Sequence, residues 1–340
     1  MAAASAAPTA LMKAAVLESH GQPLRIASLS RPQPGPGEVL VRLHASAVNP
    51  LDVKVADGAA AHARQPAPAV LGIDGAGVVE AVGSGVTAFR KGDEVMGMLG
   101  GVGGLQGTLA GFVAVNAELL GPKPANLSWR EAAALPLVFI TAWEGLVDRA
   151  RVHASQKVLV HGGGAGVGYV AVQIAKAFGA EVYATDSEPK RAAIEQLGAV
   201  FIDRNEAVEA FVQRHTGGEG FDLVYDTAGG AALDNGFKAV RRFGHVISCL
   251  GWGTHALAPL SFKAGTYSGV FTLEPLLTGV GRKHHGEILH EAAKLAEAGK
   301  VAPLVDPRRF TLESVGKAYQ LIRDRGARGK LVVEIGDERL

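Results

Sequence analysis

Residues 157–186 read KVLVHGGGAGVGYVAVQIAKAFGAEVYATD, and the fold turns on this stretch. Lys157 to His161 is a short apolar run of the kind that forms a buried strand. It enters a turn in which five of the seven residues from Gly162 to Gly168 are glycine: Gly162, Gly163, Gly164, Gly166 and Gly168, with Ala165 and Val167 between them. From Val167 to Phe178 the apolar residues recur at helical spacing, and a second strand then ends on Asp186. Glycines at such a turn remove Cβ atoms, so the backbone can approach a diphosphate whose charge rests at the positive end of the following helix. Asp186, about 20 residues on, is placed to accept hydrogen bonds from an adenosine ribose. The expectation is a dinucleotide site on a strand–turn–helix–strand unit.

Downstream the alternation continues. "AVFID", "FDLVYDTAG" and "GHVISCLG" are strand-like and are separated by amphipathic stretches such as Pro189 to Leu197. That pattern implies an α/β fold, a doubly wound parallel sheet of the Rossmann type covered on both faces. Asp226 with Gly229 and Gly230 ends one strand, and Leu250, Gly251 and Trp252 end the next. Ligands of open α/β sheets lie beyond these carboxyl ends, so the backbone here is expected to approach the cofactor. Lys190 and Arg191 open the helix after Asp186 and are within reach of a 2′-phosphate, but a carboxylate beside the ribose disfavours that phosphate and tips the balance toward NADH.

Upstream, from Lys13 to about Asn126, short β-branched runs are broken by Gly/Pro clusters such as "RPQPGPGE", which describes a turn-rich β domain. The alanine-rich Met1 to Leu11 reads as a frayed tail. From Leu276 the chain runs through helices to an apolar closing strand, "GKLVVEI", which needs a sheet to join and is expected to return to the N-terminal β domain. "MLGGVGGLQGTLAG" and "SFKAGTYSGV" read as loops that shape a pocket.

Composition narrows the function. With 34 basic and 33 acidic residues the formal charge is +1, which gives no reason to expect a nucleic-acid or anionic-membrane partner. No uncharged apolar run reaches the length of a membrane span. The single cysteine, Cys249, permits no internal disulfide or multi-cysteine metal centre, suits a reducing cytoplasm, and reads as a small hydrophobe. His285 and His290 of "HHGEILH" are spaced off the interval that turns two ligands to one helix face, so this stretch reads as a solvated helix start.

The glycine spacing also occurs in short-chain dehydrogenases, but none of the five tyrosines has a lysine four residues on, as that family requires. Taken together, "GEVLVRLHASAVNPLDVK", "LGIDGAGVVEAVGSGVTAFRKGDEV", "LPLVFITAWEGL", "HGGGAGVG" and "GKLVVEI" resemble the zinc-independent quinone oxidoreductase branch of the medium-chain dehydrogenase/reductase superfamily. The resemblance implies a GroES-like catalytic domain over residues 1–135, a Rossmann domain over 136–275 and a C-terminal return over 276–340. It also implies a homodimer that uses NAD(P)H, with NADPH the family default. Zinc-dependent relatives carry a cysteine and a His-Glu pair where this chain has Asn49 and Ile73-Asp74, so no catalytic zinc is expected.

A hydride delivered to a quinone or an α,β-unsaturated carbonyl leaves negative charge on the substrate oxygen, and without a Lewis acid hydrogen-bond donors must stabilise it. The resemblance places Asn49 at the substrate, although Asn49 before Pro50 is also an ordinary turn. Lys54 stands where some relatives have tyrosine and reads equally as a surface lysine, while Asp52 reads as a structural acid. Thr141 resembles a threonine that approaches the nicotinamide; its alternative is a helix-interior hydroxyl bonded to the main chain. Lys330, in the closing motif, joins the cofactor-binding residues. The expected activity is metal-free reduction of a small quinone or enone. The alternatives are an enoyl or alkenal reductase, or a crystallin-like or RNA-binding relative with little turnover.

Overall fold

The computed structural model describes residues 10–336. The expected tail falls on residues 1–9, outside the described residues, except at its end: Leu11 already opens the strand Leu11–Leu17 and pairs with Ser30. The chain divides into two compact units. One comprises the chain through Leu137, Leu273–Lys294 and the residues from Val305 onward; the other comprises Val138–Thr272 and Leu295–Leu304.

The second unit is built on six parallel strands. In chain order they are Lys157–His161, Glu181–Asp186, Val200–Asp203, Phe221–Asp226, Val240–Ser248 and Thr266–Gly269, and across the sheet they lie in the order 3-2-1-4-5-6. The first strand is therefore central, flanked by the second and fourth, and the order reverses at its carboxyl end, where doubly wound sheets bind dinucleotides. Val158, Leu159 and Val160 are wholly buried, which explains why this strand reads as an unbroken apolar run instead of an alternating one. The helix Gly166–Ala177 covers the sheet with Val170, Ala171, Val172, Ile174 and Ala175. The helix expected over Pro189–Leu197 is a 3₁₀ turn, Glu188–Lys190, followed by the α-helix Arg191–Gln196. The sixth strand lies inside "SFKAGTYSGV", expected to be a loop. Its four residues TYSG are polar or half-exposed and offer no apolar run to detect.

In the first unit the strand Glu38–Val48 is the hub. It pairs antiparallel with Asp74–Val82, with Phe112–Asn116 and with the closing strand Leu331–Glu334. Leu331 faces Val48 and Asp74 faces Ala47, so three segments distant in sequence converge where the hub strand ends at Asn49. The helix Pro50–Ala56 starts there, with Pro50 in its first turn where a missing N–H costs nothing.

Candidate active site

The glycine turn is shaped by contacts that leave no room for side chains. A Cβ on Gly168 would lie 2.1 Å from the Gly162 carbonyl oxygen, and one on Gly163 would lie 2.5 Å from the Ala184 Cβ. These clashes show the helix start drawn down onto the strand end. Gly166, by contrast, has φ +50° and nothing within 4 Å of where a Cβ would stand, so its freedom serves the backbone and its outer face is open. The helix begins from Ala165, which has no side chain to cap it, so the first-turn amides of Gly166, Val167 and Gly168 receive no side-chain acceptor from that position. Open glycine backbone and uncapped amides at a helix N-terminus fit a diphosphate.

Asp186 is held beside this turn. Its Oδ2 accepts the Gly164 N–H at 2.9 Å and its Oδ1 accepts the Ser187 N–H at 2.8 Å. Oδ1 also accepts from the Ser187 hydroxyl at 3.4 Å, so the carboxylate is oriented, and Oδ2 keeps a further lone pair able to receive a ribose hydroxyl. Lys190 packs close to the turn: a Cβ on Gly164 would come within 2.6 Å of its Cβ. Arg191 is committed elsewhere. Its guanidinium bonds Glu188 at 2.6 and 2.9 Å and Glu195 at 3.3 Å, and it lies 4.2 Å above the Phe201 ring.

At the other strand ends Asp226 is fully buried and spent on internal bonds. It accepts from the Ala228 and Gly229 amides at 3.0 and 2.8 Å and from the Ser248 hydroxyl at 2.7 Å. Its side chain therefore holds the turn through Gly229–Gly230, and only the backbone there is offered outward. Leu250 is half-buried, with its N–H on the Ser248 hydroxyl, and Trp252 is exposed. A Cβ on Gly251 would meet the Tyr267 hydroxyl, the end of an exposed side chain, at 2.2 Å. Thr141 is buried; its hydroxyl meets that of Thr272 at 2.9 Å, and its carbonyl accepts from the Tyr225 hydroxyl at 2.6 Å. Burial pushes the Cys249 thiol up to about 12, so it stays protonated and unreactive. Burial also lowers His161 to about 4, leaving a neutral imidazole whose Nδ1 bonds Thr185 at 2.8 Å.

In the first unit the structure gathers Asn49, Asp52, Asp74 and Lys330. Asn49 Nδ2 donates to Asp74 Oδ2 at 3.0 Å, and Lys330 Nζ donates a short hydrogen bond to Asn49 Oδ1 while lying 3.5 Å from Asp74 Oδ2. Asp74 Oδ1 accepts the Leu137 N–H at 2.9 Å. Asp52 reaches back from the first helical turn to accept the Asn49 N–H at 2.7 Å. Burial raises Asp52 to about 7 against the pull of that hydrogen bond, and raises Asp74 against the pull of Lys330. The same burial lowers Lys330, opposed by the two carboxylates. Asn49 is 1% exposed, Asp74 0% and Lys330 7%. Lys54, on the same helix as Asp52, is exposed and does not join the group. In the sequence Asn49 and Lys330 stand 281 residues apart as separate candidates, and only the sheet register gives a signal of their contact.

The donors at Asn49 and Asp74, an amide and a carboxylate with an ammonium between them, do not fit zinc, which needs thiolate or imidazole here. Among the described residues no group of three or more His, Cys, Asp or Glu side chains is arranged to hold a metal ion. The helix Arg282–Glu297 corrects one expectation: His285 is buried, so "HHGEILH" is not simply a solvated start. No helix of the described residues is long and apolar enough to cross a membrane.

Comparison with known proteins agrees with this architecture. Residues 35–125 match the alcohol dehydrogenase GroES-like domain and residues 197–333 match the zinc-binding dehydrogenase family. A 2-methylene-furan-3-one reductase of Solanum lycopersicum is 36% identical over 305 residues, spanning 87% of this chain and 71% of that protein. An alcohol dehydrogenase superfamily protein from Novosphingobium aromaticivorans is 56% identical with a TM-score of 0.94, covering 96% of this chain and 100% of the other. A quinone oxidoreductase from Coxiella burnetii is 26% identical with a TM-score of 0.81, covering 96% of this chain and 100% of the other. Other relatives are much longer synthases, of which this chain spans 15% in one case. The chain belongs to the medium-chain dehydrogenase/reductase superfamily, in its quinone oxidoreductase branch. It is an oxidoreductase of that class.

Proposed function

We propose that this protein is an NAD(P)H-dependent reductase that passes a hydride to a quinone or an α,β-unsaturated carbonyl without using a metal. The observation that carries the reading is the glycine turn: backbone packed too tightly for side chains at Gly163 and Gly168, open at Gly166, and flanked by the oriented carboxylate of Asp186. A bound reduced nicotinamide would supply the hydride from its C4. The amides from Gly162 to Gly168 would bind the diphosphate, with Leu250, Gly251 and Trp252 at the neighbouring strand end and Thr141 toward the nicotinamide. Asp186 would hold a ribose hydroxyl and favour NADH. Lys190 is the cation left to contact a 2′-phosphate, since Arg191 is held by Glu188 and Glu195. On the substrate side Asn49 offers the second proton of its Nδ2, the one not given to Asp74, to the oxygen that gains charge.

The relative named for 2-methylene-furan-3-one supports an enone, because that name describes a methylene conjugated to a ketone. The quinone oxidoreductase at lower identity supports the quinone. A cytoplasmic homodimer completes the reading. The strand Thr266–Gly269 ends the parallel sheet with one edge unpaired among the described residues, and Tyr267 and Phe271 beside it are exposed apolar surface. Light scattering checks the dimer.

The deciding experiment is a fluorescence titration with NADH and NADPH, followed by turnover on a small quinone and a small enone with and without a chelator. Binding of at least one cofactor and chelator-resistant oxidation of it are expected. Binding of neither would overturn the reading.

A further inference from the structure

Lys330 sits where the closing strand meets the end of the hub strand, one residue before the Leu331–Val48 pair. Its ammonium touches the carbonyl end of the Asn49 amide, while the nitrogen end of that amide touches Asp74. The two contacts are not interchangeable. Turning the amide over would set its NH₂ against an ammonium and its oxygen against a carboxylate, two repulsive pairings in a place from which water is excluded. The orientation of Asn49 is thus imposed by charges on both sides, and only one of them, Lys330, retains exposed area.

We propose that Lys330 is a positioning residue: it locks the Asn49 amide with its nitrogen toward Asp74, so that the second Nδ2 proton is a fixed donor. This assignment rests on the reading of Asn49 as the donor to the substrate oxygen. It differs from the sequence expectation, in which Lys330 contacts the cofactor.

Two variants separate positioning from charge balance. Lys330→Met keeps length and removes charge, but leaves Asp74 without its counter-charge and so risks the fold. The double variant Asp74→Asn/Lys330→Met is neutral at both positions, and its new amide can face Asn49 either way, so nothing fixes the Asn49 orientation. Thermal stability, cofactor Kd by fluorescence and kcat are measured for wild type and both variants. The Asn49 side-chain amide protons, identified by their loss in Asn49→Ala, are followed by NMR. The proposal expects kcat to fall roughly ten- to a hundredfold in both variants while cofactor Kd stays within about twofold, as loss of orientation without loss of binding does. Stability is expected to recover in the double variant while kcat does not. The Asn49 amide protons, protected from exchange in the wild type, are expected to lose protection in both variants.

Three results would overturn it: a cofactor Kd weakened in step with activity, which makes Lys330 a cofactor ligand; recovery of kcat in the double variant, which reduces Lys330 to charge balance; or unchanged Asn49 protons. If wild type reduces neither quinone nor enone, the functional reading fails by itself, and the Asn49 protons still decide whether Lys330 sets the amide.

Discussion

The turn from Gly162 to Gly168 and the group around Asn49 use opposite chemistry. In the turn, side chains are absent and, on the proposed reading, backbone amides hold the cofactor; the neighbour that most firmly forbids a Cβ is itself backbone: Gly162 O stands 2.1 Å from a Cβ on Gly168. Around Asn49 side chains and backbone amides bond one another in a buried polar group, in which Asp74 faces the Lys330 ammonium across the Asn49 amide. The first arrangement fails by steric obstruction, the second by loss of a counter-charge. Substitutions therefore break them in different ways.

The largest effect is expected in the turn. Gly168→Val forces a side chain into a carbonyl that cannot rotate away, so the helix start must lift from the strand. Cofactor Kd by fluorescence titration is expected to rise about a hundredfold or more, the equivalent of about 2.7 kcal/mol of lost binding. Gly164→Ala is the milder comparison, because the nearest atoms belong to the Lys190 side chain, at 2.6 and 3.0 Å, and to Asp186 at 2.9 Å. If Gly168→Val bound cofactor like the wild type, the steric account of the turn would be wrong.

In the charged group the expected damage is to stability. Asp74→Ala leaves the Lys330 ammonium buried with one neutral partner and strands an Asn49 donor, which costs about 3–5 kcal/mol. Denaturant unfolding measures it. A loss below about 1 kcal/mol would mean that Lys330 reaches solvent in the variant and that the group is not a closed charge system.

These two regions were not equally legible in the sequence. The turn is local: strand, glycines, helix and Asp186 fall within 157–186, and each carries its own signal in spacing or residue type. The Asn49 group is assembled by register across Val48–Leu331 and Ala47–Asp74, and nothing near Lys330 in sequence announces its partner. The same physics explains the other differences. Asp226 reads as a cofactor-side residue because of its place at a strand end, but which way its carboxylate turns depends on Ser248 from the next strand. Lys54 and Asp52 are neighbours on one short helix, and only packing decides that Asp52 is buried and Lys54 exposed.

A pH titration sharpens the contrast, because Asp52 belongs to the charged group and the turn has no comparable acid. Its folded value, about 7, lies above the ordinary 3.8, so the folded state holds a proton that the unfolded state releases. That contribution to stability is complete below the ordinary value and is lost as pH rises through about 7, with a slope approaching 1.4 kcal/mol per pH unit between the two. Asp74 shifts in the same direction, and Lys330, lowered by burial, acts in the opposite one. Asp52→Asn is expected to flatten unfolding free energy between pH 5 and 8 and to gain on the wild type toward pH 8. An unchanged pH slope in that variant would show that Asp52 is ionised in the folded protein throughout.

The smallest expected effect separates two adjacent cations. Lys190 and Arg191 look equivalent in the sequence as partners for a 2′-phosphate, yet Arg191 spends its guanidinium on Glu188 and Glu195 and its flat face on Phe201. To reach a phosphate it would have to leave two carboxylates, which removes most of the gain. Asp186→Ser, which deletes the carboxylate beside the ribose, is expected to shift the ratio of NADPH to NADH affinity toward NADPH by about tenfold, the equivalent of about 1.4 kcal/mol. On that background Lys190→Ala is expected to reverse roughly half of the shift on the energy scale, about threefold in affinity, whereas Arg191→Ala changes it by less than about twofold. Kd values for both cofactors in the four proteins are the measurement. A larger loss from Arg191→Ala than from Lys190→Ala would mean that the Glu188 and Glu195 contacts give way to a phosphate, and that the turn, like the charged group, recruits side chains after all.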